Sequence, residues 1–401
     1  MRETETLRGL RFRGPVAVTI EDRVAMRAYV NRAIDDVQLE RATRRYLALG
    51  VLDPALDVRA LLVSVMDEEL IGYYDPTEKR LAVRTDIAAS LAHSSADASH
   101  SPPGERGLLW RATVVHELVH ALQDQHFALG EAIERERTTD EDDAFGALVE
   151  GDATLVMLGY TAQQMGQTLA ALAEHPEQIL SAMARSPEQL TGALRRAPAL
   201  LREPLLFRYR EGAHFCAQLF RRGGWSRVDA AHRAPPRSTL AIREAQRYLA
   251  HVPEAFLALP ALDALLAGGF DKRDEDTLGA LELSILLDTD GSEAQDVVSA
   301  WRGDRYAVLE REGSLASVWW LRFSTPHAAK RVAAAFAHLH DEARMIARHA
   351  NTLLVARGLD GAAFGTQARS LPQLERTLTS SKASARSLVR GDPLATAVHQ
   401  H

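Results

Sequence analysis

The spacing of apolar and polar positions predicts mostly helices in the first two thirds of the chain. Residues 16–20 form a short, apolar-rich run after Pro15 and predict a strand. Residues 22–49 carry apolar side chains at helical spacing and predict one helix. Gly50 can end that helix because glycine readily adopts the left-handed conformation of a helix C-terminus. Residues 57–69 predict a second helix.

The pattern of residues 70–84 predicts a β-hairpin. An apolar and aromatic run is followed by a turn at residues 75–78 and by an alternating run at Arg80–Arg84. By analogy with proteins that bind peptides at a sheet edge, we expect Arg80–Arg84 to be an edge strand that can pair with an extended peptide.

Candidate chemistry appears in the next helix, predicted for residues 106–126. It contains His116, Glu117 and His120 in the order His-Glu-x-x-His. Residues four apart lie on one face of a helix, so the two imidazoles can bind one metal ion while the glutamate reaches a water on it. The flanking positions are apolar, and a charge in such a helix is costly unless it has a partner or a function.

A third metal ligand is needed, because a catalytic zinc site usually has three protein ligands and a water. Glu150 is the first candidate: it is a charge in an apolar helical stretch, and Gly151 beside it would let two helices approach closely. His126 is the alternative, because its spacing from His120 matches the metzincin pattern. That pattern requires a glycine where this chain has Gln123.

The pattern changes after about residue 262. Strand-like runs at residues 306–310, 317–323 and 352–356, with a helix at residues 326–344, predict a small α+β unit. Residues 366–401 are rich in Ser, Arg and Thr with little periodicity, which predicts a poorly ordered tail.

The charge, the cysteine count and the apolar runs of the chain argue against several classes of function. The 401 residues carry a net charge of -7, so nothing favours binding to nucleic acid. The single cysteine, Cys216, excludes an intrachain disulfide and a cysteine-rich zinc site. No apolar run approaches the ~18 residues of a transmembrane helix. The charged N-terminus has no signal-peptide pattern, so the chain as written is expected to be cytoplasmic, or exported if a signal was removed.

The motifs resemble those of a known enzyme group. His116-Glu-Leu-Val-His120 followed by Val149-Glu-Gly-Asp-Ala153 resembles the gluzincin metallopeptidases, which include thermolysin-like and aminopeptidase-like enzymes. The chain is most similar to a bacterial group of predicted gluzincins with His-Glu-x-x-His-Ala-Leu-Gln-Asp-Gln, Leu-Val-Glu-Gly-Asp-Ala and an upstream Gly-Tyr-Tyr-Asp-Pro hairpin. The close resemblance covers residues 70–160 and implies zinc at His116, His120 and Glu150, with Glu117 catalytic.

The resemblance is incomplete around the metal ligands. The thermolysin pattern has an aspartate where this chain has Thr154, and Asp152 lies two positions earlier. Because ligating histidines usually donate their other N–H to an oxygen, Asp124 and Asp152 are both candidate partners. For a donor that stabilises an oxyanion we expect Tyr209, with His214 and Arg237 as the alternatives.

These observations predict a zinc-dependent peptidase acting on a peptide or protein substrate. Zn²⁺ would activate a water, and Glu117 would take its proton and pass it to the leaving amine. The alternative is a non-catalytic, zinc-stabilised interaction protein, whose site would be closed by a fourth ligand such as His126 or Asp124. The expected fold is α+β: a mostly helical, zincin-like peptidase domain with a small hairpin or sheet (1–262), an α+β accessory domain (263–365) and a tail (366–401).

Overall fold

The computed structural model describes residues 1–89, 105–184, 190, 192–252, 257, 261–287, 292–338 and 343–374. Within them the chain is α+β and mostly helical, as the sequence predicts. The helices are α1 Arg2–Arg8, α2 Arg23–Ala33, α3 Asp36–Leu49, α4 Val58–Glu69, α5 Glu105–Phe127, α6 Leu129–Ile133, α7 Thr139–Gln164, α8 Leu169–Ala173, α9 Pro176–Met183, α10 Gly192–Arg196, α11 Ala199–Gly223, α12 Trp225–Arg233, α13 Thr239–Arg243, α14 Ala245–Leu249, α15 Asp263–Ala267, α16 Gly279–Leu286, α17 Ser292–Ser299, α18 Pro326–His338, α19 Gly361–Ala368 and α20 Leu371–Leu374. The strands are β1 Ala17–Glu21, β2 Gly72–Asp75, β3 Arg80–Arg84, β4 Asp271–Asp276, β5 Trp301–Arg311, β6 Ser314–Phe323, β7 Arg344–His349 and β8 Thr352–Arg357. In the ranges described, no helix is long and apolar enough to cross a membrane.

The predicted helix over residues 22–49 is two helices, α2 and α3. The backbone of Ile34 is extended, and the Asp35 side chain accepts hydrogen bonds from the backbone N–H groups of Val37 and Gln38. An aspartate in this position starts a new helix because it satisfies N–H groups that have no partner within the helix.

The predicted hairpin is confirmed, but its place in the sheet differs from the expectation. Strands β2 and β3 are joined by a turn in which Asp75 Oδ1 accepts from the backbone N–H groups of Thr77 and Glu78. The sheet order is β1-β3-β2, with β1 parallel to β3 along its whole length. The prediction that Arg80–Arg84 is an edge strand is therefore wrong. It is the central strand, because a segment some 60 residues earlier pairs with its other side.

Helices α5, α7 and α11 carry and support the candidate site. Helix α7 crosses α11 where Gly151 faces Gly212, and a Cβ on Gly151 would lie only 2.1 Å from the carbonyl carbon of Gly212. The close approach expected from Gly151 is thus present. Helix α5 packs on α7 through a small apolar cluster that includes Ala112, Val115, Val119, Ala153 and Val156.

The second sheet forms the predicted α+β unit. Its order is β4-β5-β6-β8-β7, and every neighbouring pair is antiparallel. Strands β4 and β7 were not predicted. Helix α18 ends at His338, before the predicted residue 344, where strand β7 begins instead.

The start of the predicted tail is not irregular: residues 366–368 end helix α19, and residues 371–374 form helix α20. Residues 375–401 lie outside the described residues, as do His93 and His100, which the sequence places in a polar loop.

A single hydrophobic cluster contains residues from both predicted domains. Tyr46 on α3 and Leu62 on α4 belong to it together with Leu278, Trp319 and Val355 from the C-terminal unit. Hydrogen bonds reinforce this contact: the Tyr306 hydroxyl donates to the carbonyl of Arg45, at 3.2 Å. The C-terminal unit is therefore packed directly on the N-terminal helices.

Candidate metal centre

Three potential ligands converge between helices α5 and α7. His120 Nε2 lies 3.0 Å from His116 Nε2, and Glu150 Oε2 lies 3.1 Å from His116 Nε2 and 3.5 Å from His120 Nε2. All three side chains are buried. The i, i+4 spacing on α5 aligns the two imidazoles, and the packing of α7 against α5 supplies the carboxylate.

The separations fit a tetrahedral metal ion. Ligand atoms about 2.0–2.1 Å from zinc in tetrahedral geometry lie about 3.3 Å from one another. The observed distances of 3.0, 3.1 and 3.5 Å fall around that value. Two imidazole nitrogens and a carboxylate oxygen are also a common ligand set of catalytic zinc. Among the described residues, these three form the cluster whose ligand atoms could hold a metal ion.

The electrostatics of the cluster favour a cation. Burial alone would lower the pKa of His120, but the negative charge of Glu150 outweighs it and raises that pKa to about 9. Burial alone would raise the pKa of Glu150, but the adjacent His120 and His116 hold it below its ordinary value. Glu150 is therefore an anion with nearly no exposure, which a metal ion would neutralise.

His126 is not part of the cluster. Its Nε2 lies 2.7 Å from the carbonyl oxygen of Arg11, at the exposed end of α5. Helix α5 continues without the break that the metzincin pattern needs, so His126 points toward the N-terminal segment. Of the two candidates for the third ligand, the structure brings Glu150 to the histidines.

Glu117 lies on helix α5 and faces strand β2 of the hairpin. Its Oε2 accepts a hydrogen bond of 3.1 Å from the backbone N–H of Tyr74 on strand β2. Burial raises the pKa of Glu117 well above its ordinary value, and the charge of Glu150 adds to this. The hairpin thus orients a carboxylate with an increased affinity for a proton, on the same helix as His116 and His120.

Of the three expected oxyanion donors, Tyr209 is the one beside the cluster. Its ring stacks on His116 with a centroid distance of 5.9 Å, and its hydroxyl interacts with the carboxylate of Glu150. Burial and the charges of Glu150 and Glu117 raise the pKa of Tyr209 well above its ordinary value, so the hydroxyl remains a donor. By contrast, His214 lies beside Gln218, and Arg237 forms an ion pair with Glu141.

The residue that contacts the far side of His120 is Gln123, which the sequence analysis did not propose. His120 Nδ1 lies 2.8 Å from Gln123 Oε1, and Gln123 Nε2 donates to Asp152 Oδ2 at 3.1 Å. Asp152 is therefore linked to His120 through the side-chain amide of Gln123 and does not contact it directly. The signal in the sequence was the i, i+3 spacing of His120 and Gln123, which places both on one helix face.

Asp124, the other expected partner of a ligating histidine, has a different role. It accepts hydrogen bonds from the Tyr74 hydroxyl at 3.0 Å and from the backbone N–H of Gly130 at 3.1 Å. It thereby ties the end of α5 to the hairpin and to the start of α6.

A cavity of about 580 Å³ lies beside the turn of the hairpin. Its lining includes Tyr29, Asp35, Asp75 and Glu78. Its lining does not include His116, His120 or Glu150.

Comparison with known families gave one match. Residues 265–385 match a family described as a domain of unknown function, DUF8575. Comparison with curated proteins and with solved structures gave no match. The matched region coincides with the C-terminal α+β unit and does not include His116, His120 or Glu150, so the metal centre is interpreted from its own geometry.

Proposed function

We propose that this protein is a zinc-dependent peptidase in which His116, His120 and Glu150 hold the metal. The proposal is carried by the three buried ligand atoms 3.0–3.5 Å apart, with Glu117 on the same helix. When bound, zinc polarises a carbonyl group and lowers the pKa of a water to about 7. The gluzincin-like order of these residues supports the same interpretation.

Glu117 is the proposed general base and acid. The Tyr74 N–H fixes one carboxylate oxygen, which holds the side chain in place for proton transfer. Its raised pKa suits a group that takes a proton from water and keeps it long enough to give it to the leaving amine. Tyr209, with its hydroxyl protonated, is the proposed donor to the oxyanion.

The number of ligands supports a catalytic site over a structural one. A structural zinc site is closed by four protein ligands, whereas a catalytic site leaves one position open. The cluster has three members among the described residues. His126 and Asp124, the residues expected to close a structural site, are engaged with Arg11 and with Tyr74 and Gly130.

The proposal is tested by measuring zinc content and peptide-library hydrolysis on one set of proteins. We expect about one zinc per chain in the wild type, in Glu117→Gln and in His126→Ala, and none in Glu150→Ala. Glu117→Gln should lose hydrolysis by a factor of about 10²–10⁴, because it cannot accept the proton. Wild-type activity in Glu117→Gln would refute the mechanism, and a full complement of zinc in Glu150→Ala would refute the ligand set.

A further inference from the structure

The N-terminal segment lies against the C-terminal half of helix α5. The backbone N–H groups of Arg13 and Gly14 donate to Gln125 Oε1, at 2.7 and 3.2 Å. His126 Nε2 contacts the carbonyl oxygen of Arg11. These contacts bring helix α1 next to the helices that carry the proposed ligands.

Arg8, the last residue of α1, is completely buried in this contact. Its Nε lies 2.7 Å from Asp152 Oδ1 and its Nη2 lies 2.8 Å from Asp229 Oδ1. The guanidinium also lies over the ring of Trp225, 4.5 Å from the centroid. A fully buried guanidinium needs such partners, since an unpaired buried charge is very costly.

Asp152 connects Arg8 to the metal centre. While Oδ1 faces Arg8, Oδ2 accepts from Gln123 Nε2 at 3.1 Å and lies 2.9 Å from His232 Nε2. Because Oδ1 is paired with the guanidinium of Arg8, Asp152 is a carboxylate, and both of its oxygens only accept hydrogen bonds.

The acceptors around Gln123 determine which way its amide points. The NH₂ group faces two acceptors, Asp152 Oδ2 and the carbonyl oxygen of Val149 at 2.9 Å. The amide oxygen must then face His120, so His120 Nδ1 must donate the hydrogen bond between them. In the metal-binding form, Nδ1 therefore carries the single proton, and the lone pair on Nε2 is left for the metal.

We propose that Arg8 is a positioning residue for the metal centre: it holds Asp152, which fixes the Gln123 amide and so the orientation and tautomer of His120. The inference rests on the proposed zinc site and adds to it a residue more than 100 positions before the motif. It also makes the N-terminal helix part of the metal centre.

The test is zinc affinity, measured by competition with a chelator, in full-length Arg8→Met, Arg8→Lys and Asp229→Asn. Loss of a hydrogen-bonded partner behind a ligand typically costs 10–100-fold in metal affinity, and we expect this for Arg8→Met. Arg8→Lys keeps a charge beside Asp152 and should recover part of the loss. Asp229→Asn removes the other partner of Arg8, so it controls for the general effect of disturbing this buried pair and should bind zinc almost as the wild type does.

A second readout separates positioning from loss of stability. In the zinc-loaded wild type, the Nδ1 proton of His120 should exchange slowly with water in NMR spectra, and in Arg8→Met it should exchange faster. If Arg8→Met folds and keeps both wild-type zinc affinity and slow exchange, the inference is wrong while the proposed zinc site stands. If Arg8→Met does not fold, Asp152→Asn replaces it, and equal losses of affinity in Asp152→Asn and Asp229→Asn would overturn the inference. Failure of the wild type to bind zinc would instead refute the proposed function.

Discussion

Three buried carboxylates on adjacent helices have different properties because their partners differ. Glu150 faces two imidazoles, and Asp152 faces Arg8 and His232; these partners hold the pKa of each carboxyl below its ordinary value. Glu117 has a backbone N–H as its partner, and burial raises its pKa. One functional group, the carboxylate, thus suits the three proposed roles of ligand, positioning anion and proton carrier, because different partners let one site perform acid and base chemistry.

Tyr209→Phe tests the proposed oxyanion donor. The ring that stacks on His116 is retained and only the hydroxyl is lost, so the metal ligands should be undisturbed. We expect kcat to fall by a factor of about 10²–10³, with KM and zinc content nearly unchanged. Steady-state kinetics beside metal analysis measures this. Loss of zinc would show that the hydroxyl supports Glu150 rather than the reaction.

At the scale of elements, the position of Glu150 depends on how closely helix α7 approaches its neighbours. Gly151 and Gly212 lie backbone to backbone, and a Cβ on Gly212 would lie 2.1 Å from the carbonyl oxygen of Ala147. Neither backbone can move aside as a flexible side chain could. The crossing therefore requires glycine on both helices, one of them directly after the proposed ligand.

Gly212→Ala should separate α7 from α11. We expect a loss of about 3 kcal/mol or more in the free energy of unfolding, above the usual cost of overpacking because the clash is with backbone. Zinc affinity should fall as well, because Glu150 moves with α7. Gly365→Ala is the matched control, because an added Cβ on this helical glycine would have no atom within 4 Å apart from its chain neighbours and its own helix backbone. It should be neutral or gain up to about 1 kcal/mol from helix propensity. Urea denaturation measures both, and equal effects of the two substitutions would contradict the prediction.

At the scale of the whole molecule, the C-terminal unit is held to the start of the helix that carries Glu150. Asp276, at the end of β4, accepts from the backbone N–H of Thr139 at 2.9 Å and from its hydroxyl at 2.7 Å. Arg45 on α3 pairs with the same carboxylate at 2.7 Å. This buried contact joins α3, α7 and the second sheet, and α3 and the sheet also share a hydrophobic cluster.

Asp276→Ala should therefore lower the free energy of unfolding of the whole protein. It removes the main partner of a buried arginine, and breaking such a pair costs about 3–5 kcal/mol. Asp271→Ala lies on the same strand, but its side chain is 72% exposed, so its effect should stay within about 0.5 kcal/mol. Urea unfolding followed by circular dichroism and by zinc release should give coincident transitions in the wild type. Zinc release at distinctly lower urea would show that the two units unfold separately.

Local patterns predicted the elements whose stability is local. The helix of His116 and His120 was found because its apolar spacing and motif lie within one segment. The hairpin was found because Asp75 and its neighbours specify a turn. The break between α2 and α3 also had a local signal, the capping residue Asp35, but the apolar spacing on either side masked it.

Tertiary contacts decided what local patterns left open. Strand β4, Asp-Lys-Arg-Asp-Glu-Asp, has no apolar alternation, and it is a strand because it pairs with β5. Strand β3 is central because β1, from much earlier in the chain, pairs with the side that β2 leaves open. Both outcomes depend on hydrogen bonds to distant segments. The spacing of apolar residues within one segment does not indicate which other segment it pairs with.

The residues that can bind a metal were visible in the sequence alone: two imidazoles on one helix face with a glutamate beside one of them, and a second glutamate next to a glycine in an apolar stretch. The packing of the helices was needed to show that Glu150 rather than His126 joins the histidines, and that Gln123, Asp152 and Arg8 stand behind them. A spacing of four residues fixes a direction within a helix, whereas a ligand set requires distances of about 3 Å between helices, which depend on packing.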